Sequence, residues 1–239
     1  MNAQNPTIVL VHGAFADSSS WNGVVEKLQS HDYPVVAASN PLRGLADDAE
    51  YVRQLVASIG GPVVLVGHSY GGSVISSAAK GLTNVKALVF VAAFLPDEGE
   101  SAIALSGKFP GSTLGEALRP VPVTLPNGSQ VADLYIETSK FHQQFAADVP
   151  MGTAAIMAAT QRPVTDAALA EGGAAPAWRD VPSWALVATE DRNIPPRTQT
   201  FMAERAHATV INVPASHAVS VSRPQDVARL INEAAQATV

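Results

Sequence analysis

The stretch from Val63 to Gly72, Val-Val-Leu-Val-Gly-His-Ser-Tyr-Gly-Gly, constrains the fold of this chain more than any other. Val63 to Val66 form a short apolar run rich in β-branched residues, the pattern of a strand buried on both faces. The run stops in Gly67-His68-Ser69-Tyr70-Gly71, a Gly-x-Ser-x-Gly turn, and a small-residue segment that can be helical follows at once. A strand-to-helix turn this tight leaves no room for a Cβ at Gly67 or Gly71. It also predicts that Ser69 is held strained, with its hydroxyl exposed. The N–H groups opening the helix would face the place where an oxyanion forms.

The flanking sequence keeps the same rhythm. Thr7–Val11 reads as a strand ending in His12-Gly13-Ala14-Phe15. A helix is expected from Asp17 and Ser18, with Trp21, Val24, Val25 and Leu28 on one face. Pro34 to Ala38 reads as a second strand. A second helix is expected from Asp47, with Glu50 completing a capping box and Gly60-Gly61 as its stop. A third helix runs to about Lys80-Gly81, and Val85 to Ala93 is the next strand. Alternating strands and helices with apolar strands predict a parallel sheet covered on both faces.

Between Phe94 and Trp178 the rhythm breaks into Pro-, Gly- and Ala-rich sequence, with helical patches around 131–146 and 153–160. Such a length is too great for a structureless loop, so residues 95–177 read as an inserted, mostly helical cap. Residues 1–94 and 178–239 then form the core. Alternation resumes with a strand at Ser183–Ala188, a helix at Pro196–Ala206 and a strand at Thr209–Val213. A final helix is expected from Ser222.

Sites in open parallel sheets lie at the carboxyl ends of strands. Four such ends carry polar groups here: His12-Gly13-Ala14, Ser69, Asp191 and His217. A serine hydroxyl needs a base in hydrogen-bond reach and an acid to orient that base. Ser69, His217 and Asp191 supply those types, with Glu190 and Asp97 as alternative acids. Backbone N–H groups of Tyr70 and Ala14 would form the oxyanion hole. His12 is expected to orient its loop by hydrogen bonds, and His68 to point away from Ser69. His31 and His207 read as solvated helix-end residues. Phe15, Phe94, Trp178, Tyr135, Phe141 and His142 are candidates for the pocket wall, and a core role for the aromatics is equally open.

Composition excludes several classes. The 239-residue chain carries net charge −6 with no basic run, which argues against nucleic acid or an anionic membrane as partner. It has no cysteine, and no histidines stand at metal-ligand spacing with a carboxylate, so neither a metal nor a cofactor is expected. No signal peptide or membrane span is legible, and a cytoplasmic protein is the default expectation.

The chain resembles the α/β-hydrolase superfamily, within it the branch of plant methylesterases and hydroxynitrile lyases with their bacterial esterase relatives. The resemblance rests on His12-Gly-Ala-Phe15 with Trp21, Gly67-His-Ser-Tyr-Gly-Gly72, Ala93-Phe-Leu-Pro-Asp97, Ala188-Thr-Glu-Asp-Arg192 with Ile194-Pro195, and Ser216-His217. It implies the α/β-hydrolase fold, a mostly parallel sheet of about six strands flanked by helices with an inserted helical cap. It also implies a triad of Ser69, Asp191 and His217, and it suggests a homodimer. The lyases of this branch carry a lysine directly after the histidine, where this chain has Ala218. The expectation is therefore a carboxylesterase-type hydrolase acting on small to medium hydrophobic esters. A lyase, a cofactor-free perhydrolase or oxygenase, and a non-catalytic receptor on the same scaffold are the rivals.

Overall fold

A computed structural model describes residues 5–238. The chain alternates β1 (Thr7–Val11), α1 (Asn22–Gln29), β2 (Val35–Ala38), α2 (Leu45–Ala57), β3 (Val63–His68), α3 (Tyr70–Ala78) and β4 (Val85–Val91). The intervening segment holds α4 (Ala102–Ser106), α5 (Leu114–Ala117), β5 (Leu118–Thr124), β6 (Gln130–Ile136), α6 (Thr138–Phe145), α7 (Met151–Thr160), β7 (Val164–Thr165) and α8 (Asp166–Ala170). Then come β8 (Ser183–Ala188), α9 (Pro196–Arg205), β9 (Thr209–Val213), α10 (Val219–Ser222) and α11 (Pro224–Gln236). Six strands pair in the order β2-β1-β3-β4-β8-β9, every pair parallel.

Period-two alternation divides the core between the two faces of this sheet. Val9, Val11, Val63 and Leu65 point to one side, where they join Val52 and Val56 of α2 and Val74 and Ile75 of α3. Ile8, Leu10, Val64 and Val66 point to the other, onto Trp21, Val24 and Leu28 and onto Leu230 and Ile231 of α11. Because both faces are covered, the central strands are apolar through their middles, Ile8 to Val11 in β1, Val63 to Val66 in β3 and Ala87 to Val91 in β4, while Lys86 near the start of β4 is exposed. No helix among the described residues is long and apolar enough to cross a membrane.

The local expectations need three corrections. First, α2 starts at Leu45 and no side chain of its own caps it. Instead Glu171, just after α8, accepts from the N–H groups of Leu45 (2.6 Å) and Ala46 (3.2 Å), a carboxylate at the positive end of the helix. The helix ends at Ala57, so Gly60-Gly61 lies beyond it. Second, Ser222 ends a separate short helix, α10, and the last helix, α11, begins at Pro224. Third, the cap is not simply helical, because β5, β6 and β7 form a three-stranded antiparallel sheet. The segment from Val131 to Ile136, expected to be helical, is its central strand.

Candidate active site

The four polar strand ends converge. β3 delivers Ser69 on a turn where its φ is +55° and ψ −124°, a strained conformation for a side-chain-bearing residue. The turn can form only because glycine stands on either side. A Cβ on Gly67 would lie 2.5 Å from the Gly71 carbonyl oxygen, and one on Gly71 would collide with the Val11 carbonyl oxygen. Gly13 brings the β1 loop just as close, since a Cβ there would lie 2.6 Å from Ser69 Cβ.

Ser69 Oγ donates to His217 Nε2 at 2.8 Å, and His217 Nδ1 donates to Asp191 Oδ2 at 2.7 Å. All three side chains are buried. With Nδ1–H on a carboxylate, the imidazole presents Nε2 to the hydroxyl as an acceptor. Asp191 is itself held: Oδ1 accepts from the N–H groups of Asn193 (2.7 Å) and Ile194 (3.1 Å), and Oδ2 accepts from Gln199 Nε2 (2.8 Å). The alternative acids lie elsewhere. Glu190 is exposed, and Asp97 pairs with Arg179.

Next to Ser69 lies a cavity of about 260 Å³, lined by Ala14, Tyr70, Phe15, Phe94, Leu134 and Leu169 among others. Tyr70 is the first residue of α3, so its N–H has no partner within the helix. The neighbouring Phe15 N–H is already taken by the Arg162 carbonyl at 3.0 Å, whereas among the described residues Ala14 N–H meets no acceptor. Two unengaged N–H groups therefore flank the serine, the arrangement an oxyanion requires. Among the described residues no arginine, lysine, aspartate or glutamate lines the cavity.

The alpha/beta hydrolase family model matches residues 8–230. The chain belongs to this family. The hydrolase is similar to the alpha/beta hydrolase nvfD of Aspergillus novofumigatus, with 28% identity over 96% of each chain. It is also similar to the putative chloroplastic methylesterase 11 of Arabidopsis thaliana, 24% identical over 95% of this chain and 63% of that protein. The crystal structure of polyneuridine aldehyde esterase superposes with a TM-score of 0.82 at 20% identity, covering 96% of this chain and 99% of that one.

Two buried histidines support the hydrolase's site. His12 donates from Nδ1 to the Gly13 carbonyl (2.9 Å) and accepts at Nε2 from Asn40 N–H (3.0 Å), fixing the β1 loop as expected. Burial lowers its pKa and keeps it neutral. His68 does more than turn away from Ser69. Its Nε2 donates to the His217 carbonyl at 2.8 Å, and its ring centroid lies 4.7 Å from that of His217. Burial, and next the proximity of His217, push its pKa down to about 3. Tyr70 is pinned from below, its hydroxyl donating to Asp48 Oδ2 at 2.9 Å. Burial raises both the Tyr70 and the Asp48 pKa.

The expected pocket wall needs correction. Phe15 and Phe94 line the cavity, but Tyr135, Phe141, His142 and Trp178 do not. Tyr135 follows Leu134 on β6 and so faces the opposite side of the cap sheet, under the Arg119 guanidinium at 5.0 Å. Phe141 is fully buried and stacks on Phe145 at 5.0 Å. His142 Nε2 donates to the Val149 carbonyl at 2.9 Å, and Trp178 Nε1 to that of Pro96 at 2.8 Å. Beside Phe15 and Phe94 the largest share of the wall is aliphatic, with Ile103, Leu114, Leu118, Leu134, Leu169 and Ile194. Its leucines sit on short cap elements whose sequence pattern is too brief to reveal a direction. Gln199, eight residues after Asp191, and Gln144, 49 residues before Asn193, were missed as well, because no sequence pattern marks either contact.

Proposed function

We propose that this hydrolase is a serine carboxylic ester hydrolase acting on small to medium, uncharged, hydrophobic esters. The observation that carries the reading is the unbroken line Ser69–His217–Asp191 at the wall of an apolar cavity. In this reading His217 Nε2 takes the Ser69 proton as Oγ attacks the ester carbonyl carbon. Asp191 holds the resulting imidazolium, and the N–H groups of Tyr70 and Ala14 receive the oxyanion. Each such donor is worth roughly 2.7–4 kcal/mol of barrier. The imidazolium then protonates the leaving alkoxide, and water releases the acyl group by the same steps in reverse. Similarity to a putative methylesterase supports ester substrates. So does the residue after His217, which is the buried Ala218 rather than a lysine able to stabilise cyanide.

The test is hydrolysis of a graded series of p-nitrophenyl esters by the wild type and by Ser69→Ala. Loss of turnover by a factor on the order of 10⁴ or more in the variant is expected. Wild-type turnover in Ser69→Ala would sink the reading.

A further inference from the structure

The line of hydrogen bonds does not end at Asp191. Asn193 N–H, which donates to Asp191 Oδ1 at 2.7 Å, belongs to a residue whose side-chain Oδ1 accepts from Gln144 Nε2, also at 2.7 Å. Gln144 lies on α6 of the cap. Its second Nε2 hydrogen goes to the Arg192 carbonyl at 3.0 Å, and its Oε1 accepts from Thr113 Oγ1 at 2.8 Å. One buried amide thus ties two residues of the acid loop to the cap segment that precedes α5. The same helix holds the base loop, since the Phe145 carbonyl accepts from Ala218 N–H at 3.0 Å. Just past α6, Asp148 accepts from Ser216 Oγ. The Phe145 ring meets the His217 ring edge-on at 5.0 Å.

We propose that Gln144 is a positioning residue for the reaction, acting through Asn193 and Arg192 on Asp191. The inference rests on the proposed role of the Ser69–His217–Asp191 line. The chemistry is specific to an amide of this length. Gln144 is buried, and each of its polar atoms is used: two donors on one nitrogen and an acceptor at Oε1. Glutamate would set an acceptor oxygen against the Arg192 carbonyl and Asn193 Oδ1, which are both acceptors. Leucine would keep the shape and leave the buried Asn193 Oδ1 without its donor. Either change removes the tie on Asn193 Oδ1 and leaves the Thr113 N–H, at 3.0 Å, on the Arg192 carbonyl, so the loop whose N–H groups orient Asp191 is loosened, and displacement of a catalytic group by about 1 Å can cost on the order of a hundredfold in rate. The line reaches the Ser69 hydroxyl through His217 alone, so the main effect belongs on the chemical step, with a smaller one on binding because Asn193 also lines the cavity.

The experiment compares wild type, Gln144→Leu, Gln144→Glu and Thr113→Val, with Gln143→Ala as a control on the exposed face of α6. Three quantities are read: kcat and KM on the best p-nitrophenyl ester, thermal midpoint, and the low-field proton NMR resonance of the His217–Asp191 hydrogen bond. A fall in kcat of roughly ten- to a hundredfold is expected for both Gln144 variants, with KM within about twofold of wild type. Their low-field resonance should shift or broaden. Thr113→Val, one bond further out, should lose about twofold. The inference is overturned if the Gln144 variants keep wild-type kcat and the wild-type resonance, whether or not their thermal midpoint falls. Should Gln144→Leu not fold, Gln144→Glu carries the same test. The resonance needs no substrate, so it decides the inference even if no ester is turned over. Turnover unaffected by Ser69→Ala would instead mark failure of the functional reading.

Discussion

The sheet core and the inserted cap share one cavity, yet they are built by different rules. In the core, backbone approaches backbone so closely at Gly13, Gly67 and Gly71 that a methyl group has nowhere to go. In the cap, Gly115, Gly128 and Gly152 face open space. Helix α7 leaves Met151 and Ile156 largely exposed, at 76% and 66%, while β3 is buried along its whole length. In the proposed reading, the core holds the chemistry and the cap holds the selectivity. Ser69, His217 and Asp191 sit just past strand ends whose positions the sheet register dictates, whereas the four leucines of the cavity wall, Leu114, Leu118, Leu134 and Leu169, sit on short cap elements.

The sharpest way to break this comparison is to add one methyl group on each side. Gly71→Ala drives a Cβ into the Val11 carbonyl, so the β3–α3 turn must open or β1 must move. A loss of roughly 3 kcal/mol or more is expected, with activity abolished. Gly152→Ala, in the first turn of α7 with nothing within 4 Å, should add up to about 1 kcal/mol by helix propensity alone. Denaturant midpoints of the two variants check both signs. Comparable losses at both positions would erase the distinction between core and cap.

Acid should probe the core in a second way. His68 has its folded-state pKa pushed from 6.5 down to about 3, and that of His12 is lowered as well, both chiefly by burial. Below pH 6.5 the unfolded chain therefore binds protons that the folded chain refuses, and stability falls with falling pH. For His68 the window runs from about 6.5 to about 3, at on the order of 1 kcal/mol per pH unit. Urea midpoints taken from pH 7 to pH 4 should show this slope in the wild type, and His68→Gln should flatten it. An unchanged slope in the variant would place the acid sensitivity elsewhere.

What was legible in the sequence follows the same division. A strand covered on both faces is apolar through its middle, so β1, β3 and β8 announce themselves, and so do the polar residues at their ends. The cap hides its sheet. β5 carries Pro120 and Pro122, which read as breaks, yet β5 is an edge strand. Residues two apart turn their missing N–H groups to the same side, and on an edge that side faces solvent. In β6 the set Ala132, Leu134 and Ile136 has period two, but Val131 and Leu134 also fit a helical spacing, and seven residues are too few to decide. Long-range caps and ties such as Glu171 on α2, Asp48 under Tyr70 and Gln144 on the acid loop have no pattern at all, because each joins residues that only the finished fold brings together.

The smallest expected effect is the one that most directly separates the two regions. Leu134 lines the cavity from the middle strand of the cap sheet and is only partly buried. Leu134→Ala removes wall volume without touching the serine line or the N–H groups beside it. Truncating a partly exposed leucine should cost less than the roughly 2–5 kcal/mol of a fully buried one. Turnover of the shortest esters should fall by about tenfold, the low end of the roughly 10–200-fold that one methylene contact is worth in a hydrophobic pocket, because Leu134 stands in the wall and not at the reacting carbon. Preference along the ester series should move toward longer acyl or bulkier alcohol groups, since the space freed lies in the wall and not at the reacting carbon. A series that keeps its optimum while kcat collapses for every member would mean that the cap sheet positions the chemistry as well. The two regions would then have to be treated as one catalytic unit, with α6 as the element that joins them.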